Sequence, residues 1–472
     1  MTLSTSIDEV VANGACIGCG GCSTATDGRI PVVLGTRGQY VADLTGVSDA
    51  DRAIGSRVCP FADESQNEDE ISTDLYPELP HDGRIGRHDT SFAGRVLNDG
   101  AVEKSSSGGL TTWLLTKLLE SDSVDGVIHV GDTDNPLFGY VVSRSVDDLR
   151  AARKSKYYPA SFAEAVRSVK GDGLRYAFVG IPCAVRSIRL VMKDDAELAG
   201  QVRYAIGILC GHLKSTAYAE SFAWQLGVEP ANIETVDFRI KNRELTSRQY
   251  EFGVQDKRDH QWRATQTLDL VGGSWGHAVF QPEACNYCDD VFAETADVVI
   301  GDAWLSKYEI DWRGTNVVVT RTPELSAIFA RGHGDGEIMH DDLDVESTAR
   351  TQAGNFRHRR DGLAVRLADD DAAGRWHPKK RVQPGYPVPP ERVELIRERR
   401  ALSAMSHDAF ARAKAAGDLS VYLDAVLPLI DKYQSGTRMS FVVRVRNKLK
   451  RESWKLLGRA RALVQRRSRG AE

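Results

Sequence analysis

The sequence predicts an α/β or α+β protein, in which a small cysteine-rich N-terminal unit precedes a mixed, mostly parallel sheet covered by helices and a helical C-terminal extension. Three observations predict this fold. Three closely spaced cysteines open the chain, short apolar runs alternate with helical segments over about 84–350, and a proline-rich break at 383–390 precedes two further helical patterns. A chain of 472 residues also exceeds the size of about 250–300 residues at which single cores stop growing, so we expect several domains.

The boundaries follow from changes in composition. Residues 61–82 carry acids and no Lys or Arg, which favours a linker or wrap-around segment, while the last residues are rich in Arg and Lys. The expected segments are a cysteine unit with the acidic linker (1–75), a sheet domain (76–350), a linker (351–390), a helical segment (391–435) and a basic amphipathic tail (436–472).

The expected strands of the sheet domain are apolar runs with β-branched residues. They are VDGVIHV (124–130), LRYAFVGIP (174–182), VRYAIGILC (202–210), IETVDFRI (233–240) and ADVVIGDAW (296–304). Helical patterns at 110–120 and 215–226 lie between them. Runs that are apolar throughout are typical of parallel strands buried on both faces.

Composition favours a cytoplasmic protein. The chain is 42% apolar and 27% charged, has no apolar run of membrane-spanning length, and begins without a basic or apolar leader. In a reducing compartment, the eight cysteines indicate metal binding or catalysis more than disulfides.

The N-terminal cysteines form a C-x2-C-x2-C triplet in ACIGCGGC (15–22), and a distant Cys-Pro pair follows in RVCP. The four are Cys16, Cys19, Cys22 and Cys59. A triplet of this spacing with a cysteine followed by proline is typical of bacterial ferredoxins, so the simplest interpretation is a ferredoxin-like unit with one [4Fe–4S] cluster. Zinc remains an alternative, although zinc sites favour two separated C-x2-C pairs.

The other four cysteines are spread over three segments. They are Cys183 in VGIPCAVRS, Cys210 in GILCGH, and Cys285 with Cys288 in ACNYCDD. Two of them follow strand-like runs, so the fold could gather all four at one end of the sheet. Spacing alone leaves open a second cluster, a zinc ion, buried thiols, and a nucleophilic cysteine with His212 as its base. His212 is also a candidate proton donor.

Three further stretches are candidates for ligand binding. KSSSGG (104–109) opens the helix at 110–120 and is either a phosphate-binding turn or an ordinary N-cap. ARKSKYYPA (152–160) offers two lysines beside two tyrosines, as phosphate contacts or as a solvated face. GDAW (301–304) follows a strand at the end where ligands usually bind, and Asp302 is either a cap or a cofactor contact.

Taken together, these stretches resemble the beta-subunit family of coenzyme F420 hydrogenase/dehydrogenase. The cysteine triplet with its Cys-Pro partner, SSSGG, SKYYP, VGIPC, CGH, VDFRIK, C-x2-C-D and ADVVIGDAW occur in this order over roughly 10–320. RRDGLAVRL (359–367) resembles members found beside surface-polysaccharide genes. The resemblance does not extend to the C-terminal helices or the basic tail.

The resemblance implies an iron–sulfur flavoprotein with FAD on the sheet domain. It also favours a second [4Fe–4S] cluster on Cys183, Cys210, Cys285 and Cys288, because some members, including plant chlorophyll-cycle reductases, use a second set of four cysteines. The implied FAD contacts are Ser106, Ser107, Gly108 and Gly109 at the phosphates, Ser155, Lys156 and Tyr157 beside the flavin, and Gly301 and Asp302 near the isoalloxazine ring.

The functional hypothesis is a cytoplasmic oxidoreductase that transfers electrons between its clusters, FAD and an organic substrate, with glycan assembly as a candidate pathway, or coenzyme F420. Ferredoxin or a partner redox subunit would exchange electrons with it. Two alternatives are an electron-transfer subunit without its own substrate, and a zinc-stabilised cysteine enzyme or binding module. The basic tail indicates an acidic partner or peripheral contact with the inner face of the membrane, and we expect no nucleic-acid partner.

Overall fold

The computed structural model describes residues 5–436. Its N-terminal unit consists of short helices and a hairpin, in which β1 and β2 pair antiparallel. The elements are α1 (Ile7–Ala12), α2 (Gly21–Ala25), β1 (Val32–Leu34), β2 (Tyr40–Ala42) and α3 (Asp49–Val58). Ile7, Ile30 and Val58 are buried around Cys22, so this unit is packed around its cysteines.

The acidic stretch 61–82, predicted as a linker or wrap-around segment, contains a helix. This helix is α4 (Glu68–Leu75), and a small hairpin follows with β3 (His81–Asp82) and β4 (Gly86–Arg87). Asn67 and Glu70 form a capping box at its start. Glu68 is 5% exposed and lies 3.1 Å from the guanidinium of Arg186, so one of these acids belongs to the interior rather than to solvent.

The predicted mixed sheet is confirmed and has eight strands. They are β5 (Ser91–Val96), β6 (Gly126–Asp132), β7 (Phe138–Ser143), β8 (Tyr176–Gly180), β9 (Val202–Ile208), β13 (Val298–Asp302), β14 (Asn316–Thr320) and β15 (Ile338–Asp342). The order is β15-β5-β14-β13-β9-β8-β6-β7. The four strands β13, β9, β8 and β6 are parallel, and the pairs at both edges are antiparallel. All five residues of β8 are buried, as expected for a parallel strand covered on both faces.

Helices connect and cover these strands. They are α5 (Asp99–Glu103), α6 (Leu110–Glu120), α7 (Val146–Ala151), α8 (Ala163–Val169), α9 (Pro182–Asp194), α10 (Ala196–Gln201), α11 (Ala217–Gln225), α12 (Ser306–Glu309), α13 (Pro323–Gly334) and α14 (Val345–Arg350). The helices expected at 110–120 and 215–226 correspond to α6 and α11.

The strand expected at 233–240 forms, but it belongs to a second sheet. This antiparallel sheet has the order β10-β11-β12, with β10 (Ile233–Ile240), β11 (Glu251–Asp256) and β12 (Trp262–Gln266). Phe238 and Phe252 from this sheet pack with Phe222 of α11 in a core of their own. The run looked like the other strands because its buried face is equally apolar.

The segment 351–390, predicted as a linker, is helical over half its length. It contains α15 (Ala353–Phe356), a π-helical turn (Arg357–Asp361) and α16 (Gly362–Ala372). Leu363 and Leu367 are fully buried and pack with Tyr287. The segment is therefore packed against the region of the second cysteine set.

The two expected C-terminal helices are α17 (Pro390–Ala416) and α18 (Ser420–Gly436). Phe410 and Tyr422 contact Phe280, at ring-centroid distances of 5.5 and 5.4 Å, so both helices join the core of the second sheet. The basic tail predicted at 436–472 lies almost entirely outside the described residues. Among residues 5–436, no helix combines the length and the apolar character needed to cross a membrane.

Candidate functional site

A cavity of about 320 Å³ opens at the carboxyl ends of the parallel strands. Residues at the end of β8 (Gly180), after β9 (Leu209) and at the end of β13 (Asp302) line it. This edge is the usual ligand site of parallel α/β sheets, because the loops that leave adjacent strands diverge there. Cys19 and Cys210, one from each cysteine set, both line the cavity.

The N-terminal cysteines come together around a smaller cavity that all four line. Cys16 and Cys19 lie in the loop before α2, Cys22 lies in α2, and Cys59 caps the end of α3. Burial raises the pKa of Cys16 to about 11 and that of Cys59 to about 12. Free thiols here would therefore stay protonated, and only a bound cation would favour the thiolates.

Two glycines permit the tight path of the triplet. Gly18 and Gly20 have φ values of +60° and +102°. A Cβ on Gly18 would lie 2.2 Å from the Cβ of Tyr40, and one on Gly20 would lie 2.7 Å from the backbone nitrogen of Ala163. Any other residue would push the cysteine loop away from β2 or α8.

The second set of cysteines also comes together, from three separate segments. Cys183 lies in the first turn of α9, Cys210 follows β9, and Cys285 and Cys288 lie in and after a 3-10 turn (Glu283–Tyr287). Burial and the charges of Cys288, Cys210 and Cys285 raise the pKa of Cys183. Cys19 acts on Cys183 as well, so the two sets are neighbours.

Arg359 contacts the second set directly. Its guanidinium donates hydrogen bonds to Sγ of Cys288, to the carbonyl oxygens of Cys210 and Gly211 at 2.8 and 2.9 Å, and to that of Asp290 at 3.0 Å. Leu213 N donates to Sγ of Cys285 at 3.3 Å. Arg359 was not predicted as a site residue, although the motif RRDGLAVRL contains it.

The serine turn lies where a ligand was expected from the sequence. Ser106, Ser107 and Gly109 line the cavity, and Gly109 is the left-handed N-cap of α6, with φ of +82°. Gly108 is not among the lining residues, because it packs against the sheet. A Cβ there would lie 2.7 Å from Oδ1 of Asn316 and 2.9 Å from the carbonyl oxygen of Gly94.

Lys241, the last residue of the VDFRIK stretch, was not predicted as a site residue, and it holds this turn in place. Its Nζ donates to the carbonyl oxygens of Val102, Ser107 and Arg313 at 2.7, 2.8 and 2.6 Å. Ser155 N donates to Oγ of Ser106 at 2.7 Å. These contacts join the serine turn to the segment 152–160.

Residues 154–157 line the cavity beside the serine turn. Ser155, Lys156 and Tyr157 line it, and the ring of Tyr157 lies 4.9 Å from that of Trp275. Lys156 is paired with Asp132 at 2.9 Å, and Lys154 is paired with Asp237. Both lysines thus have carboxylate partners within the protein.

Gly301 and Asp302, at the end of β13, also line the cavity. Asp302 accepts from Arg239 of β10, whose side chain is 5% exposed. Arg239 also lies over the ring of Tyr250, 4.8 Å from its centroid. The sequence feature that could have indicated this ion pair is the charged Arg239 inside the otherwise apolar run VDFRI.

His212 is buried and lines the cavity. Its ring stacks on Trp275 with a centroid distance of 4.3 Å, and Arg399 of α17 donates to its Nδ1 at 3.4 Å. Burial and the charges of Lys214 and Arg399 hold the pKa of His212 well below its usual value. The neutral ring therefore carries its proton on Nε2, which has no hydrogen-bond partner among the described residues.

Two family models match the chain, and both describe the beta subunit of coenzyme F420 hydrogenase/dehydrogenase. The model of its N-terminal part matches residues 91–167, and the model of its C-terminal part matches residues 173–346. Together they cover more than half of the chain.

Two individual proteins are similar to this chain. An uncharacterized protein of Methanocaldococcus jannaschii is 19% identical over 256 residues, which are 53% of this chain and 65% of the relative. The chain thus spans less than two-thirds of that relative's length. A chain of the F420-reducing [NiFe] hydrogenase complex from Methanosarcina barkeri has a TM-score of 0.49 and 16% identity over 64% of this chain and 99% of its own length. On the two matching family models, this chain belongs to the coenzyme F420 hydrogenase/dehydrogenase beta-subunit family.

Proposed function

We propose that this oxidoreductase-family protein is an iron–sulfur flavoprotein that transfers electrons between two [4Fe–4S] clusters, FAD and an organic substrate or coenzyme F420. One observation carries the proposal. A single cavity is lined by Cys19 and Cys210, which come from different cysteine sets, and by the serine turn, residues 155–157 and Asp302. A flavin in this cavity would lie beside both sets.

The cysteine sets fit a cluster better than a single zinc ion. Zn–S bonds of about 2.3 Å place tetrahedral thiolates about 3.8 Å apart. Within residues 5–436, no three cysteine sulfurs lie within 4.8 Å of one another. A cube of four irons holds its thiolates farther apart, and both sets supply the four cysteines that it requires.

The cavity also supplies groups that suit FAD. Ser106, Ser107 and Gly109 would hold phosphate at the start of α6, where backbone N–H groups and the helix dipole favour an anion. Tyr157 and Trp275 present flat aromatic surfaces beside the strand ends. When bound, FAD would exchange electron pairs with organic molecules as hydride, and single electrons with clusters.

The role of His212 in this proposal is to donate a hydrogen bond. Arg399 fixes the proton on Nε2, so the neutral ring offers an N–H to a ligand in the cavity. Because its pKa is held well below the usual value, the ring is neutral at pH 7 and has no imidazolium proton to transfer. We expect His212 to orient a carbonyl or ring nitrogen, while a proton taken up by the substrate comes from another donor.

The partner in this proposal is another redox protein. Both matching family models describe a beta subunit, which by definition works beside other subunits. Electron exchange with ferredoxin or with a partner redox subunit would be consistent with membership of such a family.

The test is a count of iron, acid-labile sulfide, zinc and flavin per chain in anaerobically purified protein, with its visible spectrum. We expect about eight irons and one FAD. About four irons would refute the second cluster, and a colourless zinc protein would refute the proposal as a whole.

A further inference from the structure

The two cysteine sets differ in the charges that surround them. At the N-terminal set, neutral backbone groups donate to sulfur, since Gly18 N and Ala42 N lie 3.4 and 3.3 Å from Sγ of Cys16. The strongest charges that act on Cys22 are those of the other cysteines. At the second set, the charge of Arg359 acts on Cys210, Cys285 and Cys288.

Arg359 is buried without a carboxylate partner. Its exposure is 1%, and its hydrogen bonds go to one sulfur and three carbonyl oxygens. Within residues 5–436, no carboxylate oxygen lies within the 4.0 Å of an ion pair with it. A buried guanidinium without an anion is strongly disfavoured, so its natural counter-charge is the group of four thiolates beside it.

Two further basic side chains, Lys214 and Arg399, are buried near Cys285, and burial lowers the pKa of Lys214 well below its usual value. Lys214 donates to the carbonyl oxygen of Val279 at 2.6 Å, and Arg399 donates to Gly276 O at 3.0 Å and to the ring of His358. Among the described residues, neither has a carboxylate partner within ion-pair distance. Two carboxylates, Asp289 and Asp290, also act on Cys288, and that of Asp289 is paired with Lys380 at 2.8 Å. Among the described residues, what distinguishes the second set is therefore the guanidinium of Arg359 in contact with one of its sulfurs.

We propose that Arg359 makes the second cysteine set the higher-potential of the two iron–sulfur centres, so that electrons run from the N-terminal set toward the second set. This inference rests on the proposed function. One-electron reduction adds a negative charge to a cluster, and both a nearby cation and an N–H···S hydrogen bond stabilise the reduced form. Arg359 supplies both, through the ligand Cys288.

The experiment is a redox titration of the anaerobically purified full chain, followed by electron paramagnetic resonance. The Cys59→Ala variant, which keeps only the second set complete, assigns the signals. In the unmodified protein we expect the second centre to be reduced first. Reduction of the N-terminal centre first would overturn the inference.

Two substitutions test Arg359 itself. Arg359→Gln should make reduction of the second centre at least tenfold less favourable, which is 59 mV for one electron, and should leave the N-terminal centre unchanged. Arg359→Lys keeps the charge but loses the forked hydrogen bonds, so it should give a smaller shift. If the Arg359→Gln variant loses the second cluster, the potential of the second centre in Arg359→Lys becomes the test. Loss of the cluster in both variants would overturn the role of Arg359 in tuning the potential.

The matched control is Arg360→Gln. Arg360 is the adjacent arginine, but it donates to the carbonyl oxygen of Gly83 at 2.9 Å and lies 4.0 Å from Glu294, so it should leave both potentials unchanged. An unshifted potential in Arg359→Gln, with about eight irons retained, would overturn this inference alone. Fewer irons in the unmodified protein would instead overturn the proposed function.

Discussion

The carboxylate of Asp302 accepts two hydrogen bonds from the guanidinium of Arg239, at N···O distances of 2.8 and 3.4 Å. Arg239 lies on β10 of the small sheet, and Asp302 lies at the end of β13 of the large sheet. This ion pair therefore joins the two sheets at the wall of the cavity.

We expect Asp302→Asn to destabilise the protein, because it leaves the buried Arg239 without a counter-charge. The loss of a fully buried partner costs about 3–5 kcal/mol. Since Asp302 is 22% exposed, a loss of about 2 kcal/mol in the free energy of unfolding is expected. Urea denaturation followed by far-UV circular dichroism measures it. Asp341→Asn, which removes the exposed partner of Lys307, is the control, and an equal loss there would contradict the prediction.

Replacement of Cys59 with Ala should remove the N-terminal cluster and leave the flavin bound, because Cys59 lines the smaller cavity and is not among the residues that line the larger one. Iron should fall from about eight to about four per chain, with flavin unchanged. Cys183→Ala should remove the other four irons. Retention of all iron by the Cys59 variant would refute its assignment as a ligand.

Lys241→Met should weaken flavin binding without removing iron. The substitution deletes three hydrogen bonds that hold the serine turn, and hydrogen bonds to charged groups contribute about 1.5–3 kcal/mol each. The dissociation constant of FAD should therefore rise by at least about tenfold, as measured by fluorescence titration of the flavin-depleted protein. Lys307→Met, at an exposed lysine, is the control. An unchanged affinity would show that the turn holds its shape without Lys241.

Stability should fall in acid partly through His129. This residue lies in β6, and its Nε2 is hydrogen-bonded to Oγ of Ser143 at 2.8 Å. Burial lowers the pKa of His129 to about 4. Because the folded state resists protonation, His129 stabilises the fold above pH 6.5, and this stabilisation is lost as the pH falls from about 6.5 to 4.

The loss amounts to about 3 kcal/mol. Urea unfolding of the unmodified protein and of His129→Gln at pH 7.5 and pH 4.5 measures it, and the variant should lose less stability on acidification. Parallel curves would refute a neutral His129.

Much of the fold could be predicted from the sequence because its strands are apolar on both faces. The runs that became β6, β8, β9 and β13 needed no partner information to be recognised. Their assembly was harder, since β10 carries a similar pattern and yet pairs with β11 in another sheet. The periodicity of apolar residues indicates which face of a strand is buried, but it does not indicate which sheet the strand joins.

The acidic stretch and the segment 351–390 show a second limit of prediction from sequence, which concerns buried charged residues. Glu68 and Arg359 are buried, whereas a charged residue in a sequence predicts a solvent-exposed position. Each is explained only by a group distant in sequence, Arg186 in one case and the second cysteine set in the other.

At the site, the family resemblance implied ligand contacts at the serine turn, at 155–157 and at 301–302, and all of these residues except Gly108 line the cavity. Arg239 and Lys241 lie in the VDFRIK stretch and Arg399 lies in α17, and none of the three was predicted to reach the site. Their roles follow from tertiary packing, which a local motif does not specify.

The match to the family ends at residue 346, whereas Arg359 and Arg399 come from the helices that follow. Relatives that share only the matched stretch, residues 91–346, would keep Cys183, Cys210, Cys285 and Cys288 but lose both cations. We therefore expect the C-terminal helices to act as an interchangeable module, so that members of one family with different C-terminal segments surround the same four cysteines with different charges.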